Sequence, residues 1–232
     1  MSLFAIGDTH LSLGANKPMD IFRGWQDYVQ RLEKNWRAVV SSEDTVIIPG
    51  DVSWAMQLGT ALADFRFLDE LPGRKILMKG NHDYWWTTMR KMQDFLEENG
   101  LLSMKILHNN AYRVGDFSIC GTRGWFFDAT DAQPDKVLLR EVQRLKTSIA
   151  AGRALGGEPL VFLHYPPVTR TQRCEPILEA LHAENIRRCY YAHLHSAAIG
   201  AAFQGELEGI HFSLVSSDSL GFCPKLIEKI KS

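Results

Sequence analysis

Lys75-Ile76-Leu77-Met78, running into Lys79-Gly80-Asn81-His82-Asp83, is the stretch on which the fold turns. A short apolar run closed by a glycine reads as a buried strand. Directly after the glycine come an amide, an imidazole and a carboxylate in succession. The arrangement recurs along the chain. Leu3 to Ile6 is followed by Gly7-Asp8-Thr9-His10, and Thr45 to Ile48 by Pro49-Gly50-Asp51. Leu160 to Leu163 is followed by His164, and Arg188 to Ala192 by His193-Leu194-His195. In open α/β sheets the carboxyl ends of the strands border the usual ligand crevice. If these strands run parallel as neighbours, their polar ends meet at one edge.

Between them the apolar spacing is helical: Trp25 to Val40, Ala61 to Leu71, Thr87 to Asn99 with Gly100 as C-cap, about Pro134 to Leu155, and Glu175 to Glu184. Met104 to Leu107, Ala111 to Val114 and Phe117 to Cys120 are separated by Asn109-Asn110 and Gly115-Asp116, which predicts an antiparallel meander. Ala197 to Ser216 predicts paired strands, and Cys223 to Ile230 fits a strand or a helix. The alternation predicts an α/β fold, residues 1-232 forming one domain, with a mixed sheet or two sheets and helices outside.

The composition sets limits. The 232 residues are 45% hydrophobic and carry a formal net charge of −1. Such a balance argues against nucleic acid as the partner, which would call for a basic excess. Four cysteines with no C-x-x-C spacing predict reduced thiols and a cytoplasmic protein. The N-terminus lacks the basic start of a signal peptide, and no apolar stretch approaches the ~20 residues of a spanning helix, so no membrane is expected.

The strand-end residues Asp8, His10, Asp51, Asn81, His164, His193 and His195 form an oxygen and nitrogen donor set without thiolate. That chemistry suits Mn, Fe, Zn, Ni or Co. Seven donors exceed the needs of one ion and suit two, with a carboxylate such as Asp51 between them. Each residue alone has a plainer role: an aspartate as a cap or turn residue, a histidine as a polar strand end. Turn chemistry does not predict that five strand ends all carry Asp, Asn or His.

The ordered blocks Asp8-x-His10, Gly50-Asp51, Gly80-Asn81-His82-Asp83, His164 and His193-x-His195 resemble the calcineurin-like metallophosphoesterase superfamily. The match spans roughly residues 6 to 195. The resemblance implies a four-layer αββα sandwich of two mixed β-sheets flanked by helices, and two divalent transition-metal ions, manganese first. It implies that Asp8, His10, Asp51 and His195 hold one ion and that Asp51, Asn81, His164 and His193 hold the other. His82 would then be no ligand but a general acid or charge stabiliser, with Asp83 fixing its ring. Two positions depart from the family pattern: Trp54 stands where an acidic residue or Asn is frequent, and Ala192 precedes His193 where Gly is usual.

The expected activity is hydrolysis of a phosphomonoester or phosphodiester of a small molecule by a hydroxide that the two metals generate. A nuclease and a non-catalytic binding module are the alternatives. Trp54, Tyr84, Trp85, Trp86 and Trp125 could stack on a substrate, with core packing as their plainer role. Arg123 and Arg170 could touch a phosphate. The stretch from Gly121 to Pro134 reads as a lid or specificity loop.

Overall fold

The structure, a computed structural model, describes residues 1–125 and 134–230. The chain runs β1 (Ser2–Ala5), α1 (Tyr28–Val39), β2 (Thr45–Ile48), α2 (Leu62–Glu70), β3 (Arg74–Leu77), α3 (Met89–Glu98), β4 (Met104–Ile106), β5 (Tyr112–Val114) and β6 (Phe117–Thr122). It continues through α4 (Pro134–Ala154), β7 (Glu158–Leu163), α5 (Glu175–Ala183), β8 (Arg188–Tyr191), a 3₁₀ turn (Ser196–Ala201), β9 (Gly205–Leu207), β10 (Ile210–Leu214) and β11 (Lys225–Lys229).

The helices form where their apolar residues line up. Tyr28, Leu32 and Trp36 are the buried stripe of α1, one turn apart. The Thr88 hydroxyl caps α3 by accepting from the Lys91 amide, and Gly100 follows the helix at φ +69°, a conformation that carries no penalty without a Cβ.

The strands build two mixed sheets, ordered β11-β1-β2-β3-β4 and β5-β6-β7-β8-β10-β9. In the first, β1 to β4 are parallel and β11 is antiparallel to β1. In the second, β6, β7, β8 and β10 are parallel and the edge strands β5 and β9 are antiparallel.

Alternation along the strands stacks the layers, because successive side chains face opposite ways. Phe4, Val46, Ile48 and Leu77 pack outward against α1, α2 and α3, with Trp36, Phe65 and Leu96. Leu3, Ala5, Ile47 and Ile76 face inward and meet Ile119, Leu160, Phe162 and Tyr190 of the second sheet. Val161, Leu163, Cys189 and Tyr191 face out again, onto Leu145 and Ile149 of α4 and Leu178 and Leu181 of α5. The two mixed sheets flanked by helices are therefore the expected α/β fold.

The expected meander is formed only in its second half: β5 and β6 pair antiparallel across Gly115-Asp116, but β4 is not their neighbour. β4 lies parallel to β3 in the first sheet, whereas β5 opens the second. In β4, Met104 and Ile106 are buried and join the core under α3, while Lys105 is exposed, so the strand closes a β3-α3-β4 crossover. The Asn109-Asn110 turn, with Asn109 at φ 60°, carries the chain from one sheet to the other. Turn residues look alike in either role. The stretch after Ala197 starts as the 3₁₀ turn, and only β9 and β10 pair. The tail resolves as strand β11.

At the carboxyl edge the sheets are joined. The Gly7 amide donates to the Val215 carbonyl at 2.7 Å and Gly7 accepts from the Ser217 amide at 2.9 Å, tying the end of β1 to the end of β10. Ala192 fits there because Gly7 has no side chain: a Cβ on Gly7 would lie 2.6 Å from the Ala192 Cβ.

Candidate metal centre

The five polar strand ends meet where the sheets converge. β1, β2 and β3 bring Asp8, His10, Asp51, Asn81, His82 and Asp83, while β7 and β8 bring His164, His193 and His195. Asp8 donates its amide to the Gly50 carbonyl at 3.0 Å and His10 its amide to the Asp51 carbonyl at 2.9 Å, so the first two loops run side by side. Asp8 (φ 52°), His10 (φ 44°), Asp51 (φ 51°) and His193 (φ 71°) all adopt left-handed backbone. For residues with a side chain this costs roughly 1–3 kcal/mol each, and such strain gathers where a site over-determines geometry. The motif glycines serve closeness. A Cβ on Gly80 would collide with an Asp51 carboxylate oxygen, and one on Gly50, which sits at φ +94°, would meet His164 Nδ1 at 2.6 Å.

Two groups of donor atoms result, each with its atoms within 4.8 Å of one another: Asp8, His10 and Asp51 in the first, Asp51, His164 and His193 in the second. Asp51 belongs to both. Asn81 Oδ1 lies 2.7 Å from His164 Nε2 and 3.0 Å from His193 Nδ1, so it joins the second group. The His195 ring stands edge-on to His10 at 5.4 Å, beside the first group.

The donors fit divalent cations. Among the described residues, Asp8 Oδ1, Asp51 Oδ2 and both His10 ring nitrogens are buried without a hydrogen-bond partner. Burying a polar atom unsatisfied carries a penalty of roughly 1–3 kcal/mol. His164 Nδ1 faces the Pro49 carbonyl at 3.0 Å, and a carbonyl can only accept, so Nδ1 carries the proton and Nε2 presents a lone pair. That lone pair confronts another acceptor, Asn81 Oδ1. A cation bound by both would satisfy the two, and in the metal-free site a turned Asn81 amide, donating its NH2 to Nε2, would do so instead.

The ionisation behaviour agrees. Burial pushes Asp8 up to about 7 and Asp51 well above the usual carboxylate range, the latter aided by repulsion from Asp83 and Asp8. Burial drives His10 and His164 well below the ordinary histidine value and His193 down to about 4, with neighbouring imidazoles adding to each shift. Carboxylates short of counter-charge beside neutral imidazoles are what a divalent metal requires of its ligands.

His82 lies at the mouth of this cluster. Its ring is 5.8 Å from His10 and 4.5 Å from Trp54, and its Nδ1 is 3.4 Å from the Tyr84 hydroxyl. Its amide donates to Asp51 Oδ1 at 2.8 Å.

The family model described as calcineurin-like phosphoesterase matches residues 1–197. The chain belongs to that family. No curated protein matches it. Among solved structures, TT1561 of Thermus thermophilus is 13% identical with a TM-score of 0.61, covering 99% of this chain and 98% of that one. A protein of unknown function from Aquifex aeolicus is 17% identical, TM-score 0.53, with 97% and 95% covered. The phosphopantetheinyl hydrolase of Mycobacterium tuberculosis is 14% identical, TM-score 0.51, with the same 97% and 95%. At these identities the likeness is one of fold.

One expectation for a member of this phosphoesterase family is corrected by the geometry. Asp83 does not hold the His82 ring. Its Oδ2 accepts from the Asp51 amide at 2.8 Å and the Gly80 amide at 2.7 Å, and its Oδ1 from the Val52 amide and the Trp85 indole, each at 2.9 Å. The carboxylate is buried and laces the second and third loops together. His82 consequently lacks the anionic partner that would favour its charged form, and burial, with the His195 and Lys17 charges, lowers its pKa.

The surrounding residues divide. Trp85 and Trp125 are core. Trp86 is half-buried against His108, and Tyr84 is exposed. Trp54 stacks on His10 at 4.9 Å with the planes 19° apart, so it lines the site. Arg170 spends its Nε on the Ala202 carbonyl, away from the cluster. Arg123 lies 5.8 Å from the Tyr165 ring, which is itself 4.6 Å from His193. Of the expected specificity loop, Gly121 and Thr122 belong to β6 and Pro134 begins α4, while 126–133 lie outside the described residues. Sequence reasoning missed Met19, Phe22, Ala197 and Ala198, which line a groove beside His82 and His195. Their only signal was apolar residues without helical or strand period.

Proposed function

We propose that this chain is a metal-dependent phosphoesterase, residues 1–232 acting as one unit on the phosphate ester of a small molecule. The observation that carries the proposal is that both donor groups share Asp51, the arrangement a two-ion centre requires. Asp8, His10, Asp51 and His195 would hold one ion, and Asp51, Asn81, His164 and His193 the other. When bound, such ions neutralise phosphate oxygens and lower the pKa of water. The chain's residues do the rest. His164 is held in one tautomer by Pro49, and Asn81 is positioned between two imidazoles. Asp83 keeps the loops that carry Asp51 and Asn81 at fixed separation. His82, with Nδ1 turned to Tyr84, has Nε2 available to protonate the leaving oxygen. Because Asp83 does not pair with it, the opposite charge that favours its protonation comes from the substrate phosphate itself.

The family membership and the fold shared with a phosphopantetheinyl hydrolase support a phosphoester as substrate. Four free cysteines, three of them buried, support a reducing, cytoplasmic setting. Among the described residues no helix is long and apolar enough to cross a membrane. The test is hydrolysis of 4-nitrophenyl phosphate and bis(4-nitrophenyl) phosphate with Mn supplied, after chelation and after Mn is restored. Activity that vanishes and returns supports the proposal. Full activity in metal-depleted protein defeats it, and the ratio of the two substrates separates monoesterase from diesterase.

A further inference from the structure

A groove enclosing about 430 Å³ opens beside the cluster, lined by Met19, Phe22, Trp54, His82, His195 and the turn Ser196 to Ala198. Among the described residues its lining contains no carboxylate, ammonium or guanidinium group. Lys17 stands at its margin, its ammonium 4.9 Å from the Trp54 ring centre and 5.9 Å from that of Tyr84. Phe22 is 48% exposed and the adjacent Ile21 76%, and on the two following loops Met56 and Tyr84 are exposed at 57% and 51%. Of these, Phe22 lies on the groove wall itself, and a large apolar side chain left in water on the wall of a concave site marks a place where something apolar binds.

We propose that this groove receives the alcohol portion of the substrate, and that this portion is an uncharged alkyl or aryl group rather than a polyol or a peptide. The inference rests on reading the cluster as a phosphoester centre. His82 forms part of the groove wall and is the residue placed to protonate the leaving oxygen. The group that departs with that oxygen therefore extends along the wall that His82 shares with Trp54 and Phe22. The polar atoms of the lining are the Trp54 indole N–H, the Ser196 hydroxyl and the two imidazoles, whereas Met19, Phe22, Ala197 and Ala198 offer no side-chain donor or acceptor, so a polyol or a charged chain lying along those four would lose water without gaining partners.

The test uses the full chain loaded with Mn and a series of n-alkylphosphonic acids from methyl to hexyl, titrated by calorimetry. The dissociation constant should tighten about fourfold per methylene over the first additions. A 2,3-dihydroxypropyl phosphonate should gain little over methyl. Ala198→Asp, an exposed position that places a charge on the wall, should flatten the series, and so should Phe22→Ser. Affinity independent of chain length, or a gain that survives both substitutions, overturns the groove assignment. The matching alkyl phosphates are then assayed for turnover. If none is hydrolysed, the phosphoesterase reading fails, while the phosphonate series still decides whether the groove prefers apolar groups.

Discussion

The loops from the two sheets bring different chemistry to the same point. The candidate carboxylate ligands Asp8 and Asp51, and the bracing Asp83, come from the first sheet, together with Asn81, His10 and His82. The candidate ligands that the second sheet brings are all imidazoles, His164, His193 and His195, with the Asp218 carboxylate, after β10, acting on His195 and Asp8. The first-sheet loops are also braced among themselves, through Asp83 and the paired amides of Asp8 and His10. The second-sheet histidines hang on the first sheet, His164 from the Pro49 carbonyl and His193 from Asp8 Oδ2, which accepts its amide at 2.8 Å. The first sheet therefore supplies the negative charge of the candidate ligands and a self-supported frame. The other supplies neutral nitrogen and is oriented by docking onto that frame. Metals bound between them would cross-link the two sheets.

The largest expected effect tests the shared carboxylate. Asp51→Asn should abolish binding of both ions and lower turnover by at least ~1,000-fold, whereas His193→Ala should leave one ion of the two in place. Metal analysis of the two purified variants decides this, and equal metal loss in both would break the division between frame and docked sheet.

Next comes His82→Ala. Turnover should fall by about 10²–10⁴-fold with metal content retained, since the role proposed for His82 is to give a proton, not to bind metal. Parallel loss of metal would place His82 among the ligands.

Asp83→Asn sharpens the bracing role. It puts an amide NH2 against backbone N–H groups, and metal affinity should drop by about 10–100-fold, as for other residues that orient ligands. If Asp83 acted instead on the His82 ring, the pH–rate profile would move and metal affinity would not.

The smallest effect is on stability. In the metal-free protein, burial holds Asp8 at about 7 and Asp51 well above 3.8. Between about pH 4 and 6.5 the lowered histidines, His193 at about 4 among them, work in the opposite direction, because they stay neutral in the folded state and charge in the unfolded. Above that range the raised carboxylates still hold protons that the unfolded chain has lost, while the remaining charge on unfolded histidines and Lys75, lowered to about 8 by burial, acts the other way. The chelated protein should lose this carboxylate contribution as pH rises through about 7. Mn-loaded protein needs those carboxylates ionised and should not. Calorimetric melting at pH 6.5 and 8 should show a wider gap between loaded and chelated samples at the higher pH, of the order of 5–10 °C per ion at saturating metal. A gap that narrows would show that the carboxylates are not the ligands.

Much of the molecule was legible in the residues. Thr45–Ile48 is bounded as its apolar run is, and the strand ends at Asp8, Asp51, Asn81, His164 and His193 all reach the cluster, because a buried parallel strand has a sharp apolar signature and a polar end. The division between β4 and β5 was not legible. Asn109-Asn110 is good turn chemistry whether the next strand folds back or changes sheet. The partner of Asp83 was also hidden, since adjacency to His82 in sequence says nothing of which way a carboxylate turns when five N–H donors lie around it.

What the sequence determined by itself was the donor set, its order and its placement at strand ends, because these depend on residue type and on periods of a few residues. The tertiary structure alone decided that two sheets rather than one supply the donors, that Asp83 braces loops, and that Met19 and Phe22 meet Ala197 and Ala198 across nearly the whole chain to form a groove. Those outcomes depend on which distant surfaces exclude water together, and no local pattern of residues records that choice.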